Sequence, residues 1–474
     1  MDKVRRKKIQ TTKLVITEIF MLVTIVVTVV ILTFIVMGYH LTEDGRLEQS
    51  GLVQVESIPT GATVIIDGET LPNKTDTSKI LKEGEHTVKI EKPGFSSWEK
   101  TISAHPGFLT KLSYPRLYKI ERTPSTVWTF ETAPDSFVAS RNRDVILTAE
   151  NSSAKLSLFD IDASSPKRTE IDLSELFADK ITYEKSILDW NKNSSRIILK
   201  FSKNGASDFA VVDLEYPERS LGLLETFGFQ VSDLAFLNDY GDKLFILENG
   251  HLRTLSLSDK QASGILVDGV EAFSSFGEIA FVVTKKADSD KKSFGLYDSR
   301  NKSMLPLLET SASVVRPLIS EYLGRFTFAI AEDNNITIYR SELPNEKTSE
   351  EKPLGEPVGK YTTSFGAPGN FYFSTKNQVV VSQTGADFAS FDLENYTESA
   401  FTLPSALTFW PDEYTIGLVS DENLSVYDFD GTNRFAFGRA EAGFPAVISK
   451  NGNYLYFVQK NSAGKLELTQ ENIK

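Results

Sequence analysis

From residue 135 to its last residue the chain keeps returning to one pattern. A short apolar stretch meets a polar turn, then a strongly β-branched stretch, a second turn, and a stretch that ends in an aromatic or aliphatic residue followed by Asp. Three copies are "ILDWNKNSSRIILKFSKNGASDFAVVDLE", "ALTFWPDEYTIGLVSDENLSVYDFDG" and "PAVISKNGNYLYFVQKNSAGKLELTQ". The closing pairs recur as Phe159-Asp160, Val212-Asp213, Tyr297-Asp298, Phe391-Asp392 and Tyr427-Asp428. Tyr339 is followed by Arg340 instead, and the unit from His251 to Asp259 closes less regularly. Eight units begin near Asp135, Ser186, Val231, Val270, Ser313, Gly369, Ala406 and Phe444. Strand-only repeats with a period of about 40 to 50 residues restrict the fold to a few architectures. Four antiparallel strands per unit, closed into a ring, leave only short outer edges unpaired, so the expected fold of 135–474 is a β-propeller of seven or eight blades. The fourth strand is weakly marked and the first and last units can combine, which leaves both numbers open. A β-helix would need shorter and more regular repeats. The recurrent aspartates, Asp160, Asp213, Asp298, Asp392 and Asp428, are read as structural acceptors for backbone N–H groups in the corners.

The N-terminus constrains topology. Lys3, Arg5, Arg6, Lys7, Lys8 and Lys13 stand against one acid in residues 1–13, and an apolar segment follows over 14–39. Glu18 is the one charge between Leu14 and Met37. At about 1.5 Å per residue this run crosses a hydrocarbon core of ~30 Å, and Glu18 falls near the headgroups where its carboxylate reaches water. The basic flank predicts a single-pass anchor with a cytoplasmic N-terminus and the bulk of the chain exported to the cell envelope. A cleaved signal peptide would have a shorter apolar core and a small-x-small site, which "IVMGYHLTED" does not offer. Thr24 and Thr28 share a helix face; bonding to their own backbone is the plain reading, helix pairing the functional one.

Residues 40–50 read as a stalk, 51–113 as a small all-β module, and 114–134 as a linker. Within the module Val53 and Val55 alternate with polar neighbours, Val64 and Ile66 do so after a corner, and Asp67-Gly68 is a strong hairpin signal because both positions tolerate positive φ. Pro59, Thr60, Gly61 and Ala62, followed by Asp67-Gly68, Gly84, Gly94 and Trp98, resemble the PEGA domain, named for a Pro-Glu-Gly-Ala signature. Thr60 replaces the Glu, and "ETLPNKTDTSKILKEGEH" is longer than the usual middle loop. The resemblance implies a surface-associated β-sandwich of cell-envelope proteins, with no activity attached. "FWPDEYTIGLV" and "ISKNGNYLYFV" are similar to the Trp-Ser-Pro-Asp-Gly repeats of TolB-like and Trp-Asp-repeat-like propellers, a likeness carried by the units at Trp190, Trp410 and Asn451-Gly452. It implies the fold alone, since propellers host hydrolases, lyases, redox enzymes and scaffolds.

The sequence excludes much chemistry. Cysteine is absent, which removes disulfides, thiolate nucleophiles and Cys-ligated metals. Six of the 51 basic residues and two of the 64 acidic ones fall in the first 18 positions, so the remainder carries 45 against 62, a net of −17. A surface of that sign repels phosphate, and nucleic acid is not an expected partner. No G-x-S-x-G, P-loop, H-E-x-x-H or G-x-G-x-x-G fingerprint occurs. The four histidines are scattered at 40, 86, 105 and 251, and His251 in "ENGHLRTL" reads as hairpin chemistry rather than a triad base. Asp428 with Asp430, Asp288 with Asp290, and Asp333 with two asparagines lack EF-hand spacing and read as turns, so no metal or cofactor is expected. Phe371, Tyr372, Phe373, Tyr454 and Tyr456 read as blade packing, and residues 341–361 as a solvated charged loop. The expectation is a membrane-anchored binding or scaffold protein presenting a propeller to a protein or glycan. The alternative is an anchored hydrolase of extracellular glycan or peptide, with acids at the central channel.

Overall fold

The computed structural model describes residues 2–36, 38–41, 45, 47–150, 153–162, 165–177, 183–285, 290–345 and 352–474. The chain divides into two compact units, Met1–Leu117 and Tyr118–Lys474.

The first unit opens with helix α1, Asp2–Val36, whose stretch Lys13–Ile35 is long and apolar enough to cross a membrane. Its threonines bond inward. Thr24 Oγ1 donates to the Phe20 carbonyl and Thr28 Oγ1 to the Thr24 carbonyl, each at 2.8 Å, so both hydroxyl protons have an acceptor within the helix. Met37 lies outside the described residues.

Eight strands follow: β1 Tyr39–Leu41, β2 Leu47–Val55, β3 Thr63–Ile66, β4 Glu69–Thr70, β5 Thr77–Lys82, β6 Gly84–Glu91, β7 Trp98–Ala104 and β8 Leu109–Leu112. They form two four-stranded sheets, β1-β2-β5 with β8 beside β2, and β4-β3-β6-β7. Alternation decides what is inside: Val53, Val55, Val64, Val88 and Ile90 are fully buried, with Trp98 and Leu112 nearly so. The expected stalk is corrected here, because its described residues include β1 and the start of β2, paired through Tyr39–Gln49. A short strand beside polar turn residues has too little periodicity to be recognised without its partner. Residues 42–44 and 46 of that segment lie outside the described residues.

The second unit is a β-propeller. Among the described residues it holds eight four-stranded antiparallel sheets. Their first strands begin at Pro134, Glu184, Asp233, Val270, Val315, Asn370, Thr408 and Val447, within two or three residues of the repeat starts read from sequence. The second and third strands of each sheet carry the β-branched and aromatic core. Neighbouring sheets share it: Leu156, Ile197 and Phe201 join sheets one and two, and Phe281, Ile319 and Phe328 join four and five.

The eighth sheet takes its outer strand, Ser125–Thr129, from the segment expected to be a linker; this strand pairs with Leu466–Asn472. Tyr118 and Phe130 in that segment are buried as well, Tyr118 stacking on Phe435 at 4.8 Å between centroids. Periodicity missed the strand for a physical reason. Its partners lie more than 300 residues away in the chain, so it has no repeat around it to mark its register.

Candidate functional site

The first strands of sheets three to six, Asp233–Phe236, Val270–Phe276, Val315–Tyr322 and Asn370–Phe373, line a cavity of about 650 Å³. They are less buried than the second and third strands of their sheets, and Ala235, Ala272, Ser274 and Ser275 are too small to fill the space between them. The strands are tied together across the gap by serine: Ser274 Oγ accepts the Ile319 N–H at 3.2 Å, as Ser136 Oγ accepts the Ile187 N–H at 3.1 Å between sheets one and two. Hydroxyls thus satisfy amides that a continuous ladder would otherwise have paired.

Charge in the cavity is mixed. Glu271 pairs with Lys292 at 2.9 Å, and Lys292 Nζ also donates to the Ser313 carbonyl at 2.7 Å. Asp233 accepts the Leu234 N–H at 2.9 Å, yet the protein around its solvent-reached carboxylate raises its pKa by desolvation. Arg316 and Phe371 complete a lining that places both charge signs beside an aromatic face.

A second cluster is built from the turns after the first strands. Arg143, at φ 57°, reaches from sheet one to Glu413 of sheet seven, its Nη2 donating to Oε1 at 2.9 Å and its Nη1 to Oε2. Lys376 of sheet six pairs with the same carboxylate, and the Arg143 carbonyl accepts the Lys450 N–H of sheet eight at 3.0 Å. Burial would raise Glu413, but the Arg143 and Lys376 cations outweigh it and hold the carboxyl well below its usual range. Asp412 beside it accepts the Tyr414 and Thr415 N–H groups and the Thr415 hydroxyl. With both Glu413 oxygens committed to cations, this cluster is a clamp between sheets.

The recurrent aspartates end the third strands, with the outer fourth strand still to follow. Asp160, Asp213, Asp298 and Asp392 each accept the N–H two residues ahead, at 3.2, 3.2, 2.9 and 2.8 Å. Asp428 accepts the Asn433 side-chain amide at 2.9 Å, and Asp430 accepts the Thr432 N–H and hydroxyl. None of the five lines the cavity. His251 follows an Asn249-Gly250 turn with positive φ at both positions and stands 2.8 Å from Asp268. Asp333, at φ 53°, accepts the Val314 N–H across the paired strands. Asp288 and residues 346–351 of the charged loop lie outside the described residues. Of the aromatics read as packing, Tyr456 is fully buried and Tyr372 accepts the Trp410 indole N–H at 3.3 Å, whereas Phe371 faces the cavity. Sequence reasoning did not find Asp233, Glu271, Lys292 and Arg316, which share no spacing.

In the first unit the corner residues gather around Thr75. Its hydroxyl lies 2.6 Å from Ser57 Oγ and accepts the Ala62 N–H at 3.0 Å, while its carbonyl accepts the Gly61 N–H at 2.9 Å. Pro59 is buried, Thr60 exposed, and Asp67-Gly68 turns with φ of 51° and 83°. Gly84 begins β6 and Gly94 turns at φ 82° before Trp98 enters the core. His86 stands between two acceptors, Nδ1 2.6 Å from Asp67 Oδ2 and Nε2 2.9 Å from the Lys82 carbonyl.

Comparison with known proteins agrees with this first unit: residues 50–116 match the PEGA domain, so the chain carries one there. No curated protein sequence matches the chain. Among solved structures, the C-terminal WD40 domain of Sif2 is similar at 10% identity and a TM-score of 0.46, covering 73% of this chain and 97% of that one. Dipeptidyl peptidase 4 of Porphyromonas gingivalis gives 11% and 0.47 over 72% of this chain and 58% of its own. An oligogalacturonate lyase in complex with manganese gives 10% and 0.40 over 75% and 98%.

Proposed function

We propose that the chain is a single-pass, membrane-anchored scaffold that holds an eight-bladed propeller on the extracytoplasmic side of the cell envelope and binds a protein or glycan through the cavity between its first strands. Ring closure is supported by the outer strand that Ser125–Thr129 lends to the eighth sheet, by a core in which Phe137 and Phe159 of sheet one meet Val447 and Tyr456 of sheet eight, and by the Arg143–Glu413 clamp. Orientation is supported by the basic cluster ahead of α1, which favours the cytoplasmic side. The order anchor, PEGA domain, propeller then makes the first unit a membrane-proximal spacer.

The observation that carries the binding role is the cavity lining. Asp233, Lys292, Arg316 and Phe371 offer two signs of charge and a stacking face within one cavity, the combination that orients an extended polar ligand. The full chain in lipid nanodiscs, screened against envelope glycans and proteins, is expected to retain a ligand that Arg316→Glu binds about tenfold more weakly, a loss of ~1.4 kcal/mol. Unchanged affinity in Arg316→Glu and in Asp233→Lys would remove the cavity from the reading.

One observation favours a second reading, hydrolysis: two carboxyls, Asp233 and Glu271, line the same cavity, and desolvation raises the pKa of Asp233, the direction a general acid requires. Turnover of a glycan or peptide substrate that is lost in both Asp233→Asn and Glu271→Gln would establish it over the scaffold.

A further inference from the structure

Among Glu48, Ser50, Leu52 and Gln54 on the outward face of β2, Leu52 is the apolar one. Val53 and Val55 point inward and are fully buried, so Leu52 points out, and it is 41% exposed. Register sets Ile80 of β5 on one side of Leu52 and Leu109 of β8 on the other, 60% and 42% exposed. Phe108, one residue before Leu109, is 68% exposed. Single exposed apolar residues need no explanation, but a cross-strand row from three adjacent strands does.

The row lies against the exit of α1, and the backbone fixes it there. Gly38 N–H bonds the Ile35 carbonyl, the Gly38 carbonyl accepts the Ser50 N–H at 2.9 Å, and the Ser50 carbonyl accepts the Gly107 N–H at 3.0 Å. Packing at Gly38 is close enough that a Cβ would fall 2.3 Å from the Ser50 carbonyl oxygen. Between helix and sheet an apolar cavity of about 750 Å³ is lined by Val30, Ile31 and Phe34 on one side and Leu52, Ile80 and Phe108 on the other.

We propose that this row is immersed in the bilayer edge and that lipid acyl chains fill the cavity, so the PEGA domain rests in the membrane surface as well as being tethered to it. The inference rests on α1 being a membrane span. Depth argues for acyl chains. The 23 residues Lys13–Ile35 rise about 34 Å at ~1.5 Å each, so with Lys13 at one headgroup layer Ile35 stands at the other edge of a ~30 Å core. Val30 and Ile31 lie about one turn deeper, inside the hydrocarbon, and they form the cavity's wall. Apolar side chains continuous with a lipid-facing helix gain by the same transfer from water that holds the helix itself.

The absence of native cysteine allows a direct test. The full chain carrying one nitroxide, at Ile80→Cys, Phe108→Cys, Val26→Cys or Asn73→Cys, is reconstituted in phosphatidylcholine vesicles, and relaxation by oxygen is compared with relaxation by a water-soluble nickel complex. Position 26 reports the span and position 73 an exposed loop. Labels at 80 and 108 are expected to match 26, with an oxygen-to-nickel ratio inverted from that at 73. If 26 is oxygen-rich while 80 and 108 behave like 73, the row is not in lipid and this inference fails while the anchor stands. If 26 is itself open to nickel, the anchor reading fails and takes the inference with it. Spin–spin broadening at 108 in dilute vesicles would name a second copy of the chain as the occupant and overturn lipid.

Discussion

In the PEGA domain each turn depends on a single side chain: Thr75 bonds Ser57 and Ala62 at the corner between β2 and β3, and His86 pins the Asp67-Gly68 turn between β3 and β4. In the propeller the corresponding corners are made by one device repeated with variation, an aspartate at the end of a third strand accepting the N–H two residues on. Unique contacts make a small unit sensitive to each residue, while a repeated device spreads the requirement. The largest test of that contrast is Trp98→Ala. Trp98 is 1% exposed and packs edge-on to Tyr114 at 5.9 Å, so its removal is expected to destabilise residues 50–116 by about 3–5 kcal/mol, read as lost amide-exchange protection. Asp298→Asn in the propeller, which keeps the acceptor oxygen, is expected to cost less than about 1 kcal/mol. Equal losses would break the comparison.

The clamp at Glu413 is where the propeller behaves like the PEGA domain. Both Arg143 and Glu413 are buried, and removing the Glu413 charge leaves the Arg143 guanidinium without this partner. Glu413→Gln is therefore expected to lower stability by about 3 kcal/mol, with the denaturant midpoint as the measurement. A shift no larger than that of Asp298→Asn would mean that the clamp belongs with the repeated, replaceable contacts. Next in size is Thr75→Val, which preserves shape but strands the Ala62 N–H, while the Ser57 hydroxyl keeps its bond to the Pro59 carbonyl; a loss of about 1–3 kcal/mol confined to residues 50–116 is expected.

The same contrast explains what the sequence made legible. The PEGA domain was readable by residue, because Pro59, Gly61, Asp67-Gly68 and Trp98 each meet a demand that few other residues satisfy. The propeller was readable by period, because buried middle strands must be β-branched or aromatic in every sheet. Neither route reaches Thr75, whose partners lie 13 and 18 residues away across a loop. Neither reaches Asp233, Glu271 and Arg316, because strands that border a cavity are released from the packing demand that creates a pattern. The cavity lies where patterning is weak, and a strand such as Ser125–Thr129 is hidden for the related reason that its partners are distant.

The smallest expected effect is the most diagnostic, since it concerns a single proton. The two atoms facing the His86 ring, Asp67 Oδ2 and the Lys82 carbonyl oxygen, can only accept, so both ring nitrogens must donate and the geometry fits the imidazolium. Burial opposes that charge, but the bonds to Asp67 and Lys82 outweigh it and the His86 pKa is raised; the His86 bond lowers Asp67 in turn. A raised histidine contributes stability in full below its unfolded pKa, ~6.5, and loses it as pH rises through the folded value. A lowered aspartate contributes above ~3.9 and loses it as pH falls through its own folded value. Both describe one bond, so the PEGA domain is expected to be most stable between about pH 4 and 6.5 and to weaken on either side. Asp67 is half exposed, and salt should flatten the profile. Asp67→Asn keeps a residue that tolerates positive φ and removes the charge, so residues 50–116 should lose the pH dependence while keeping the turn. If exchange protection in Asp67→Asn keeps the wild-type slope above pH 6.5, the proton is not held by this pair, and the PEGA domain is less dependent on single contacts than its corner suggests.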